Sequence, residues 1–264
     1  RQLISGVAVL WLDRASVCSQ LPRLRTADRL TLALQGSLGF LIGPTAFYLA
    51  LEHLSVVSQT LLFSLILPAT ALLARWLLAE PWPRRFVPTL ILLTAGLLLA
   101  SGAMGMEPAM ESPLTPQGVG WALVSVVAFA LGGILNRQVA DRGWGPGLTV
   151  GIGSLGAALV FAITALLLFG PEHFFFLRLW WVLGVIGLYG VVLTMGAQLT
   201  LMGSYRGLSP TRINLWGTLT IPVALLQAHL LLGEPLPGRT LAGMGLILAA
   251  LLISGSARRP CGAP

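Results

Sequence analysis

Thr60, Ser64 and Pro68 recur at intervals of four, and Asn214, Thr218 and Pro222 do the same 154 residues later. Residues four apart lie one above another on a helix, so each set forms a single polar stripe that ends on a proline. Hydroxyls and a carboxamide donate and accept hydrogen bonds without carrying charge, and a proline frees backbone carbonyls by removing an N–H. That chemistry is binding rather than bond-breaking: the stripes can line a cavity that holds an uncharged or zwitterionic solute. The opposing reading is that the hydroxyls bond back to their own helices and the prolines shape packing. Tyr48, Trp121, Phe129, Tyr189, Gln198 and Trp216 can add aromatic and amide walls. The expected substrate-binding set is therefore Thr60, Ser64, Pro68, Asn214, Thr218 and Pro222, with Tyr48, Trp121, Tyr189, Gln198 and Trp216 around them.

Other chemistries lack their residues. His53, His173 and His229 are scattered, and neither Gly-x-Ser-x-Gly nor His-Glu-x-x-His occurs, so no hydrolytic or metal site is expected. Cys18 and Cys261 form no disulfide framework or metal spacing. The sequence points to no enzyme, no cofactor and no metal. No Asp, Glu or Lys falls at the middle of an apolar segment, so the carboxylate relay of a simple proton antiporter is not visible. Glu80 and Glu234 sit beside prolines at segment ends, where capping or pairing with Arg84 or Arg239 is the expected role.

The elements that position these residues are membrane spans. The 264 residues are 56% hydrophobic and 9% charged, with a mean hydropathy of +0.86, more apolar surface than a soluble domain can bury. Continuous apolar runs near the roughly 20 residues needed to cross a bilayer favour helices over a barrel. They lie at 31–51, 56–79, 86–104, 118–136, 147–169, 179–202, 213–232 and 239–256, with a partial span at 1–12. The net charge of +7 would suggest nucleic acid in a soluble protein. Here the arginines read as topology determinants and lipid-headgroup contacts, and no nucleic acid partner is expected.

A shift of 154 residues superimposes Leu54, Ser55, Pro68, Glu80, Pro81 and Pro83 on Leu208, Ser209, Pro222, Glu234, Pro235 and Pro237 without a gap. The chain is a duplicated unit. With an odd number of spans per copy, the second copy sits upside down in the bilayer, which is the plan of a transporter. Arg1 falls opposite Leu155, inside a span, so the first helix and the start of the second are expected to be missing. The sixteen basic residues are all arginine. Most of them, among them Arg75, Arg84, Arg85, Arg137 and Arg206, fall in loops on one side, which the positive-inside rule makes cytoplasmic. Arg178 and Arg239 fall on the other.

Two five-helix halves, a proline within the fourth helix of each, and Ala79-Glu80-Pro81 with Arg84-Arg85 matched by Gly233-Glu234-Pro235 with Arg239 resemble the EamA-type branch of the drug/metabolite transporter superfamily. The resemblance implies an all-α membrane protein, an inverted repeat of five-helix units, with ten helices in the family and about nine here. It implies a first repeat at 1–104, an external linker at 105–117, a second repeat at 118–257 and a cytoplasmic tail at 258–264. It further implies a multi-pass carrier of the cell inner membrane with its C-terminus in the cytoplasm, exporting amino acids or other small metabolites by alternating access. Arg1 resembles a basic residue common early in the second helix of the family. The partners expected are a small-molecule solute and the lipid bilayer, and a homodimer is compatible with this reading. The alternatives are a non-transporting membrane subunit, a nucleotide-sugar or phosphate-ester carrier, and an intramembrane enzyme. The phosphate-ester reading needs basic residues in the cavity, and the arginines lie in loops.

Overall fold

A computed structural model describes residues 1–54, 56–82, 85–100, 115–232 and 237–255. Among them all regular structure is helical. Most of the linker at 105–117, Arg84, the Gly233-Glu234-Pro235 motif and the tail at 258–264 lie outside the described residues.

In chain order the helices are α1 (Gln2–Leu12), α2 (Arg14–Gln20), α3 (Thr26–Leu51), α4 (Val56–Phe63), α5 (Ile66–Leu78), α6 (Phe86–Ala100), α7 (Pro116–Asp141), α8 (Gly147–Phe169), α9 (Trp180–Tyr205), α10 (Pro210–Gly217), α11 (Thr220–Leu232) and α12 (Gly238–Gly255). The first turns of α8 and short stretches inside α3 and α9 are π-helical. Among the described residues four helices, α3, α7, α8 and α9, are long and apolar enough to cross a membrane, and α1, α5, α6 and α12 are shorter apolar helices. Their outer faces carry large exposed side chains such as Leu167 (79% exposed), Trp180 (83%) and Leu231 (79%). Water would penalise such faces and lipid does not.

The helices repeat as the sequence does. Displaced by 154 residues, α3 falls on α9, α4 on α10 and α5 on α11 with both ends coincident, and α6 falls inside α12. The spans expected at 56–79 and 213–232 are each interrupted, between Phe63 and Ile66 and between Gly217 and Thr220. Apolar character continues through both breaks, so hydropathy could not show them.

Local chemistry sets the helix ends. Arg25 N–H donates to Asp28 Oδ2 at the start of α3, an acidic side chain on otherwise orphaned donors. At the start of α8, Gly147 N–H donates to Asp13 Oδ2 and Gly145 N–H to Gln20 Oε1, both at 2.9 Å. α5 ends on Ala79 at φ 52°, a left-handed conformation that favours glycine.

The chain forms two compact units, each taking residues from both halves of the sequence. One comprises Arg1–Pro44 and Leu131–Ser209. In it α1 packs on α8 and α9, and Leu24, Leu32, Val139 and Leu148 form a core with Val17 and Trp144 against it. Within α3 the close approach to α8 is at Gly36, where an added Cβ would stand 3.1 Å from Gly153 Cα, and Gly6 and Gly151 sit equally tightly between α1 and α8. Gly39, one turn further along α3, has room for a methyl group.

The other unit comprises Thr45–Ala130 and Pro210–Pro264. Here α6 lies against its repeat mate α12, and a Cβ on Gly243 would fall 2.5 Å from Ala100 N and Gly96 O. Leu67, Leu93, Leu215, Ile247, Ala250 and Leu251 fill the surrounding core.

Candidate functional site

The two helix breaks of the second unit share three backbone hydrogen bonds and differ at a fourth, where Ser64 N–H donates to Thr60 O but its mate Thr218 N–H donates to Leu215 O. Leu65 N–H donates to Leu62 O at 3.1 Å, and its mate Leu219 N–H donates to Trp216 O at 3.0 Å. Leu67 N–H donates to Ser64 O at 3.2 Å and Ile221 N–H to Thr218 O at 3.1 Å. Regular helix resumes with Ala69 N–H on Leu65 O and Val223 N–H on Leu219 O. The cause is Pro68 and Pro222: neither can donate to the carbonyl four residues before it, so the preceding residue takes that carbonyl in a tighter turn. The carbonyls of Ser64 and Thr218 are therefore occupied, and the freed acceptors lie one residue earlier, at Phe63 and Gly217.

The copies differ in how they treat those acceptors. Thr220 Oγ1 donates to Gly217 O at 2.8 Å and Thr218 Oγ1 to Leu215 O at 2.7 Å. Thr218 thus bonds back to its own helix. In α5 the place of Thr220 is taken by Ile66, whose side chain has no donor for the Phe63 carbonyl. Asn214 Nδ2 donates to Thr70 Oγ1 at 2.7 Å, joining α10 to α5 through a fully buried hydroxyl. Thr60 and Ser64 are half-buried.

Aromatic rings gather beside the first break. Phe63, the last residue of α4, meets Phe47 edge to face at 5.3 Å between centroids and Phe129 at 5.6 Å, and Phe47 meets Tyr48 at 6.0 Å. Such edge-to-face pairs are favourable ring geometries. Tyr48 and Trp216 are largely exposed, whereas Trp121 packs against the core of Ala50, Leu54 and Ala122.

Of the residues expected around a solute, Tyr48, Thr60, Ser64, Pro68, Trp121, Asn214, Trp216, Thr218 and Pro222 fall in this unit. Tyr189 and Gln198 fall in the other, where the Tyr189 hydroxyl accepts from Arg1 Nη1 at 3.3 Å and the Arg1 guanidinium stands 5.7 Å from the Tyr189 ring centre. Gln59 was not among the expected residues. It is fully buried on α4, and neither atom of its carboxamide has a protein partner. An unpaired amide in an apolar interior is costly. The repeat concealed it, because its mate is Ile213. Ser125 and Thr89 of the same unit also bury hydroxyls without a protein partner. Among the described residues no group of His, Cys, Asp or Glu could hold a metal.

Residues 116–256, more than half of the chain, match the EamA-like transporter family. The chain belongs to that family. Members of the EamA-like family are transporters rather than enzymes, and with its apolar helices this one is a multi-pass membrane protein. A solved structure titled "Crystal structure of protein" shares its fold, with a TM-score of 0.67 and 16% identity over 97% of this chain and 89% of the other. No curated protein matches the EamA-family chain.

Proposed function

We propose that this EamA-family protein carries an uncharged or zwitterionic small metabolite, such as an amino acid, out of the cell across the inner membrane by alternating access. The observation that carries this reading is the pair of helix breaks at matching repeat positions, each with the residue before the proline bonded three residues back, set among hydroxyls, carboxamides and aromatic rings. Broken helices at membrane depth are where transporters offer backbone and side-chain dipoles to a solute. Thr60, Ser64 and the buried Gln59 supply neutral donors and acceptors, and Tyr48, Phe63, Phe129 and Trp216 supply rings. Asn214, Thr218, Pro68 and Pro222 hold the breaks in shape, and Trp121 packs on the core of Ala50, Leu54 and Ala122.

The absence of Asp, Glu and Lys from the middle of the spans favours a solute without net charge and argues against a phosphate ester. The arginine distribution supports a cytoplasmic C-terminus and a second repeat inverted relative to the first. The test is export: cells loaded with dipeptides should release the liberated amino acid faster when they express the protein. Release at the rate of cells lacking the protein, across a panel of neutral amino acids, would remove this substrate class.

A further inference from the structure

The first unit holds a cavity unrelated to the helix breaks. It measures about 110 Å³ and is lined by Asn136, Val139, Ala140, Trp144, Thr149 and Arg206, among others. On a scale of about 10–15 Å³ per water molecule it has room for several waters, and so for one polar headgroup. It lies where α7 ends, α8 begins and α9 ends, so it sits at the end of three spans, at headgroup depth.

Two of its lining side chains bury polar atoms that no protein group satisfies. Asn136 is 7% exposed and its Oδ1 has no protein partner; Trp144 Nε1 has none either. The first is an acceptor and the second a donor. The indole is fixed by the core of Leu24, Leu32, Val139 and Leu148. The neighbouring cations are committed elsewhere: Arg137 donates to the carbonyls of Tyr205 and Leu208 and pairs with Asp141, and Arg142 pairs with Asp28 at 2.9 Å. Arg206 lines the cavity with no ion-pair partner among the described residues.

We propose that this cavity binds the phosphodiester headgroup of a phospholipid that carries its own hydrogen-bond donor, an ethanolamine ammonium or a glycerol hydroxyl. The phosphate takes the Arg206 guanidinium and the Trp144 N–H, both donors suited to an anion. The headgroup's own donor takes Asn136 Oδ1. A choline headgroup offers no such donor and binds less well.

Native mass spectrometry of the full chain in detergent tests this with added phosphatidylethanolamine, phosphatidylglycerol, phosphatidylcholine, diacylglycerol and inorganic phosphate. One ethanolamine or glycerol lipid should be retained per chain. Arg206→Gln and Trp144→Phe should each weaken retention about tenfold, the scale of one charge-assisted hydrogen bond. Trp144→Phe keeps the ring in its core, and Arg206 is exposed, so both variants should fold. Asn136→Leu should erase the preference over phosphatidylcholine. Displacement of the lipid by millimolar inorganic phosphate would assign the site to free phosphate, and no displacement assigns it to lipid. Equal retention by the wild type and all three variants, or equal retention of diacylglycerol, would overturn the proposal.

Discussion

Asn214 on α10 donates its amide hydrogen to the hydroxyl of Thr70 on α5 across 2.7 Å, joining helices that come from opposite halves of the sequence. Thr70 is fully buried, so the bond has no water to replace it. Asn214→Leu should lower stability by about 1–2 kcal/mol, the cost of leaving a buried hydroxyl unpaired, tempered by what interhelical bonds contribute in membranes. The double variant Asn214→Leu, Thr70→Val should recover part of that loss. Thermal denaturation of the four proteins in one detergent checks it; additive losses would mean that the bond contributes nothing.

The contact of α6 with α12 depends on glycine. A methyl group on Gly243 would meet backbone atoms of Gly96 and Ala100 at 2.5 Å, and backbone cannot move aside as a flexible side chain can. Gly243→Ala should cost at least about 2 kcal/mol and reduce the yield of folded protein. Gly39→Ala, with its nearest neighbour 3.8 Å from the new carbon, should express at the wild-type level. Fluorescence-detected size exclusion of the two variants separates these outcomes.

Ala79 ends α5 in the left-handed region at φ 52°, and the residue matching it in the second repeat is Gly233. An alanine there carries a steric cost that glycine avoids. Ala79→Gly should raise stability by up to about 1 kcal/mol, reduced by the greater freedom that glycine gives the unfolded chain. A fall in melting temperature would contradict this.

The length and apolarity of the spans made them legible in sequence, because a helix that faces lipid must be apolar on its outer side. The duplication was legible too, since α3 and α9, α4 and α10, and α5 and α11 keep the 154-residue spacing at both ends. The breaks were legible only in part. Pro68 and Pro222 marked their neighbourhood, but which carbonyl goes unpaired follows from backbone wiring and not from residue type. Pairings between distant segments left no sequence signal: nothing in the residue pattern joins Asn214 to Thr70. Gln59 was obscured by the repeat itself, which drew attention to the polar residues that have polar mates. Which glycine of α3 meets α8 was not legible either, because Gly36 and Gly39 carry the same residue and only packing separates them.

The proposed inversion of the halves predicts a labelling pattern. In a chain freed of Cys18 and Cys261, a cysteine beside Arg85 should react with an impermeant thiol reagent only after cells are permeabilised. One beside its mate Arg239 should react in intact cells. Reaction of both from the same side would exclude an inverted repeat.

Counterflow in proteoliposomes tests the central claim most directly. Vesicles holding the purified protein and loaded with an unlabelled neutral amino acid should take up the labelled form transiently, and Thr60→Val and Ser64→Ala should each slow that uptake about tenfold at equal protein content, the effect of one lost hydrogen bond to the solute. Uptake no greater than in protein-free vesicles across the panel, or variants that match the wild type for a confirmed substrate, would contradict a solute site at the duplicated helix breaks.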